Sequence, residues 1–155
     1  MSFKLSHVSQ VTCTRNFLES LDPLSQFEQL VKIEANDNYI SQVNLNLPRL
    51  QQLHLANNFL VSIPDLTKIP MLKDLNLSQN KVTGLELVVS EQSYVQLERL
   101  DLSGNLIAPE NTQIARFMLK LKKFTALVYL DLSGNTCLES EDKRREIKKA
   151  LPKSI

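Results

Sequence analysis

The side chains of this chain that could move a proton or attack a carbonyl are two histidines, two cysteines and a set of serines in recurring stretches. His54 is the strongest candidate base, because histidine is the side chain whose unperturbed charge changes near neutrality. A base needs a nucleophile within hydrogen-bond reach and donors for the charge that develops. Ser103 and Ser133 each sit in the stretch Asp-Leu-Ser-Gly-Asn, which is written twice, and such repetition points to structure rather than to a catalytic centre. Cys13 and Cys137 occupy positions that equivalent stretches fill with small or apolar residues, so they read as core thiols. No phosphate-binding loop, dinucleotide fingerprint or metal-ligand spacing occurs. The expectation is therefore no enzyme, no cofactor and no metal, and recognition becomes the chemistry to explain.

A repeat positions the polar residues. An apolar residue is followed by others at offsets three and five, an asparagine at eight and an apolar residue at ten. The clearest copies are Leu72-Leu75-Leu77-Asn80-Val82 and Leu97-Leu100-Leu102-Asn105-Ile107. Leu30-Ile33-Ala35-Asn38-Ile40, Leu50-Leu53-Leu55-Asn58-Leu60 and Leu127-Leu130-Leu132-Asn135-Cys137 match, and Val8-Val11-Cys13-Asn16-Leu18 is a degenerate first copy. Offsets three and five differ by two, so both side chains leave a short strand on one face, toward the interior. The asparagine falls where the chain turns away from the strand. Its amide both donates and accepts, so stacked copies can build a hydrogen-bonded ladder that Ala or Leu could not supply.

The segments between strands form the convex returns. Leu18, Leu21, Leu24, Phe27 and Leu30 recur every third residue, which suits a 3-10 return. Val61-Ser62-Ile63-Pro64 and Lys68-Ile69-Pro70 are similarly short. Repeat starts lie 22, 20, 22, 25 and 30 residues apart, so the returns lengthen toward the carboxyl end. In the longest, Pro109 opens a helix with Ile114, Phe117, Met118 and Leu121 on one face.

Offsets two and four point outward from the strands and form two columns. The central one is Thr12, Glu34, His54, Asn76, Asp101 and Asp131; its neighbour is Gln10, Lys32, Gln52, Asp74, Arg99 and Tyr129. Both are polar and mixed in sign, which predicts a broad, hydrated protein contact. Offset nine reads Phe17, Tyr39, Phe59, Lys81, Leu106 and Thr136. Three consecutive aromatics there make a candidate hot spot along one rim. The expected partner-binding set is Phe17, Tyr39 and Phe59 with Glu34, His54, Asp74, Arg99, Asp101, Tyr129 and Asp131.

With 155 residues, 43% hydrophobic and 23% charged, the chain is long enough for one folded domain. A net charge of +1 gives no bulk argument for nucleic acid or membrane. Residues 107–155 are nonetheless basic, with ten Lys and Arg against six Asp and Glu. Solvated helix faces explain that imbalance; contact with an acidic partner is the other reading. The amino-terminal residues lack the apolar core of a signal peptide, and no stretch approaches a membrane span. Two lone cysteines cannot form disulfide-bonded caps, which favours a reducing compartment.

In repeat length and in the Asn-bearing pattern, these units resemble the short-repeat leucine-rich family. That family is typified by the leucine-rich regulatory subunit of type-1 protein phosphatase, the leucine-rich light chain of axonemal dynein and a spliceosomal A-prime protein. Asn135 followed by Lys143-Arg144, Ile147 and Leu151-Pro152 is similar to the family's carboxyl-terminal cap, with Lys143 standing where the family carries Tyr. The resemblance implies an α/β leucine-rich-repeat solenoid of six repeats with a concave parallel sheet, 3-10 and short helical returns and a helical cap. Residues 1–7 would form a short amino-terminal cap segment, 8–137 the repeats and 138–155 the carboxyl-terminal cap. The implied function is a monomeric, non-catalytic protein-interaction module in a cytoskeletal, ciliary or regulatory complex. The implied location is intracellular, in cytoplasm or cytoskeleton, with the nucleus as the alternative. The spliceosomal relative keeps open a second role, as a structural subunit of a ribonucleoprotein, the one setting in which nucleic acid would be near.

Overall fold

Each repeat contributes one three-residue strand: β1 (Gln10–Thr12), β2 (Lys32–Glu34), β3 (Gln52–His54), β4 (Asp74–Asn76), β5 (Arg99–Asp101) and β6 (Tyr129–Asp131). In the computed structural model, which describes residues 7–83, 96–107, 116 and 124–150, they form one parallel sheet in chain order. The register joins equivalent repeat positions. Val11, Ile33, Leu53, Leu75, Leu100 and Leu130 lie side by side, and so do their outward flanks. The inward residues are fully buried in β2 to β5 and half-buried in β1 and β6, which among the described residues pair with a strand on one side only.

The returns close the other side of the core. Leu21, Leu45, Leu47, Ile63, Leu66, Ile69 and Phe124 are buried against the strand leucines. The expected 3-10 character is found at Asp22–Gln26, where Pro23 sits in the first turn, and at Leu66–Lys68. Asp65 caps the latter, its carboxylate accepting the Thr67 N–H at 2.9 Å. The helix expected after Pro109 lies outside the described residues apart from Arg116, and residues 1–6 of the expected amino-terminal cap segment also lie outside them. A helix spans Glu141–Ala150, with Ile147 buried among the core residues; Leu151 and Pro152 lie outside the described residues. Among the described residues no helix is long and apolar enough to cross a membrane.

The asparagine ladder holds the turns together. Asn38, Asn58, Asn80, Asn105 and Asn135 are all buried. The amide of each donates across to the offset-five carbonyl of the preceding repeat: Cys13, Ala35, Leu55, Leu77 and Leu102, at 2.8 to 3.0 Å. Its oxygen accepts the offset-ten N–H of that same preceding repeat: Leu18, Ile40, Leu60, Val82 and Ile107, at 2.9 to 3.1 Å. One side chain thus stitches two points of the neighbouring turn and also bonds its own loop. Backbone groups left over by the turn inside an apolar stack would otherwise carry their desolvation cost unpaid by any bond.

Candidate functional site

Offset seven determines how the rim is built. Arg15, Asp37, Asn57 and Gln79 have φ of 54 to 59°, and Gly104 and Gly134 have 63 and 67°. This left-handed residue reverses the chain, so that the next residue, the ladder asparagine, turns inward while the one after turns out. Asp and Asn accept the conformation more readily than most residues, and Gly accepts it without cost. At Gly104 an added Cβ would also meet the Gln79 side-chain amide, which would have to shift. The rim backbone is then tied to the turn before it. Tyr39, Phe59 and Lys81 each donate their N–H to the preceding turn, at Leu18, Ile40 and Leu60, all at 2.9 Å.

On that frame the three aromatics stack. Phe17 and Tyr39 have ring centroids 5.9 Å apart and planes 11° apart; Tyr39 and Phe59 are 5.6 Å and 9° apart. Lys81 continues the column, its ammonium 4.5 Å from the Phe59 centroid. The rings do not fold down onto the neighbouring loops: Phe17 is 84% exposed, Tyr39 50% and Phe59 39%. Beside them runs the offset-seven column. Arg15 Nε lies 3.9 Å from Asp37, whose other carboxylate oxygen accepts from Asn57 at 2.6 Å. Rings and polar column together line an open cleft of about 400 Å³.

The outward columns of the sheet form a second surface. Glu34 receives Lys32 at 2.7 Å and the Thr12 hydroxyl at 3.3 Å. The Lys32 bond holds its carboxyl below the usual range, assisted by the charges of Lys32 and His54. His54 lies 4.0 Å from Glu34 but only 3.3 Å from Asp74, so its nearest acid is diagonal, in the neighbouring column. Asp74 in turn lies 3.9 Å from Arg99, whose guanidinium covers the Tyr129 ring at 4.0 Å. The Tyr129 hydroxyl donates to Asp131 at 3.3 Å, and the charge of Asp131 pushes the phenol's pKa up. The belt is therefore continuous from Thr12 to Asp131. Its carboxyl end is partly committed to the turns: Asp101 and Asp131 accept the N–H of Ser103 and Ser133 at 2.9 and 2.8 Å. Those turn bonds hold the Asp131 carboxyl below its ordinary range.

The belt does not assemble a nucleophile for His54. Ser103 donates its hydroxyl to Asp101 at 2.7 Å and Ser78 donates to Asn76 at 2.7 Å, both as local turn closures. That accounts for the repeated Asp-Leu-Ser stretch. Cys137 is buried in the core, and burial pushes the half-buried Cys13 thiol up, away from the thiolate form that reacts. Among the described residues no cluster of His, Cys, Asp and Glu is arranged to hold a metal ion.

The structure brings Phe17, Tyr39 and Phe59 into one stack and Glu34, His54, Asp74, Arg99, Tyr129 and Asp131 into one chain of contacts, while Asp101 lies on the same face and bonds Ser103 of its own turn. The sequence reading missed Arg15, Asp37 and Asn57 beside the rings. The available signal was offset seven itself, where Gly104 and Gly134 announce a left-handed residue that the other repeats must also supply.

No family model matches the chain. It is 35% identical over 104 residues to acidic leucine-rich nuclear phosphoprotein 32 family member A of Drosophila melanogaster, covering 66% of this chain and 37% of that protein. It is 33% identical over 75 residues to human Toll-like receptor 2, covering 47% of this chain and 9% of the receptor. The chain thus spans little more than a third of the first relative and a small fraction of the second. Among solved structures, the functional domain of InlJ from Listeria monocytogenes superimposes with a TM-score of 0.60 at 20% identity, over 83% of this chain and 30% of that one. Six in-register repeats, their asparagine ladder, the parallel sheet and these relatives lead to one conclusion: the chain is a leucine-rich-repeat protein.

Proposed function

We propose that the chain is a non-catalytic protein-interaction module whose affinity comes from the rim and whose specificity comes from the concave belt. The observation that carries this reading is the exposed stack of Phe17, Tyr39 and Phe59 on a backbone fixed by ladder bonds. Rigid aromatic anchors lose little entropy on binding and bury large apolar area, which is the character of interface hot spots. The belt from Lys32 through Glu34, His54, Asp74, Arg99 and Tyr129 to Asp131 is already hydrogen-bonded or ion-paired. It therefore tests a partner's charge pattern more than it adds raw affinity. Asp101 joins it as a further acceptor on the same face.

The repeats' likeness to phosphatase-regulatory and dynein-light-chain units supports membership of a cytoskeletal, ciliary or regulatory assembly inside the cell. The Drosophila relative's name places that protein in the nucleus, which supports the nucleus as the alternative compartment. Affinity capture from lysate, read by mass spectrometry, compares wild type with the Phe17→Ala/Tyr39→Ala/Phe59→Ala variant, with folding checked by circular dichroism. Loss of a protein partner in the variant is the expected result. Partners retained at full recovery would remove the rim from the binding site, and partners that vanish on RNase treatment would favour a ribonucleoprotein subunit.

A further inference from the structure

Apart from the outer face of Phe17 at the end of the stack, the exposed parts of the rings are edges rather than faces. Both faces of Tyr39 are covered, by Phe17 and Phe59, and the outer face of Phe59 is covered by the Lys81 ammonium. Ring edges carry the positive end of the aromatic quadrupole. The exposed Arg15 and Lys81 stand at the two ends of the same strip, so ring edges and cations present one sign of potential. Asp37 is the one carboxylate lining the cleft among the described residues, and it is taken up by Arg15 at 3.9 Å and Asn57 at 2.6 Å.

Spacing selects the shape of the occupant. The ring steps of 5.9 and 5.6 Å run along the solenoid axis. In an extended chain, side chains on one face recur about every 6.6 Å, near enough for successive apolar side chains to meet successive rungs. Nucleobases fit worse, because a base would have to enter between rings already stacked on each other at 5.9 and 5.6 Å, where about 6.8 Å is needed, or stack on the outer face of Phe17 alone, whereas a peptide's side chains need only lie along the ring edges. A basic segment would meet Arg15 and Lys81.

Resting on the rim as the binding site, we infer that its occupant is an extended acidic peptide segment with apolar side chains at alternate positions. The apolar side chains lie against the ring edges, and the carboxylates reach Arg15 at one end and Lys81 at the other.

A random nine-residue peptide library displayed on phage tests this, panned on the immobilised chain and counter-selected on the Phe17→Ala/Tyr39→Ala/Phe59→Ala variant. The expected survivors carry net negative charge and alternating apolar residues. Their affinity for the Arg15→Asn/Lys81→Gln variant should fall about three- to tenfold, and the loss should shrink as salt rises. Asn at position 15 keeps the left-handed backbone accessible, so this variant tests charge rather than strain. Neutral or basic survivors, or acidic ones indifferent to the Arg15 and Lys81 substitutions, would overturn the acidic assignment and leave the rim as a binding site. An absence of survivors would overturn both. Rim-dependent binding of a fluorescent twelve-residue oligouridine, with no acidic peptide recovered, would replace the peptide by nucleic acid.

Discussion

Replacing Asn80 with Ala should destabilise the centre of the solenoid far more than the same change at Asn16. Asn80 donates to the carbonyls of Leu55, Leu77 and Ser78 at 2.9, 3.0 and 3.1 Å, and accepts the Leu60 N–H at 3.0 Å. These four bonds are not equivalent. Leu55 O also receives Asn58, and Leu77 O also receives Asn105, so each carbonyl keeps a partner when Asn80 is gone. The buried Leu60 N–H loses the acceptor that Asn80 supplies. An orphaned buried donor costs about 1–3 kcal/mol, and thinning the bonds to carbonyls that stay paired adds less, for a total of roughly 2–4 kcal/mol. Asn16 is exposed and bonds only the Cys13 and Thr14 carbonyls within the described residues, so its removal should cost under about 1 kcal/mol. Repeats interact mainly with their neighbours, so global unfolding need not be all-or-none, and a local readout is required. Native-state hydrogen exchange by NMR supplies it. The Leu60 amide in Asn80→Ala should exchange roughly 30- to 1,000-fold faster than in wild type, following the free-energy loss. An unchanged Leu60 amide, or a cost no larger than that of Asn16→Ala, would refute the ladder as the element that joins the turns.

Gly104→Ala should cost about 1–2 kcal/mol from the left-handed backbone, plus the displacement of the Gln79 amide that would otherwise touch the new Cβ. In denaturant titrations, adding Gln79→Ala should recover the second part and leave the first; full recovery in the double variant would show that the backbone conformation is not limiting. The Glu34 carboxyl, held low by Lys32, stabilises the fold above its unfolded value and ceases to do so as pH falls through its folded value. A carbon-detected NMR titration should find its midpoint depressed in wild type and raised in Lys32→Met. A midpoint that ignores Lys32 would assign the shift elsewhere.

Much of the fold is legible in the sequence because the repeat encodes it through purely local spacing. Two residues apart means one strand face, so Leu53 and Leu55 must share the interior. An asparagine in every turn needs backbone partners, and Asn58 finds them in the turn before. Adding up six copies in register yields the parallel sheet without any long-range information. Placing Glu34, His54 and Asp74 on one surface, or Phe17, Tyr39 and Phe59 on one rim, follows from the same counting.

What the tertiary structure alone decided is how side chains from adjacent turns meet. Counting puts His54 in a column with Glu34 and Asn76, but the sheet lets it reach diagonally to Asp74, because side-chain length and lean choose among neighbours that are nearly equidistant by register. The rings could have folded onto their loops. Bonds from Tyr39 and Phe59 to the preceding turn fix their backbone instead, and mutual stacking covers their faces while leaving their edges outside. Arg15, Asp37 and Asn57 gained a role in the same way, since the left-handed residue before each ladder asparagine aims its side chain beside the rings. The repeat's period determines which positions face outward; packing between turns determines which of those side chains are already taken and which remain for a partner.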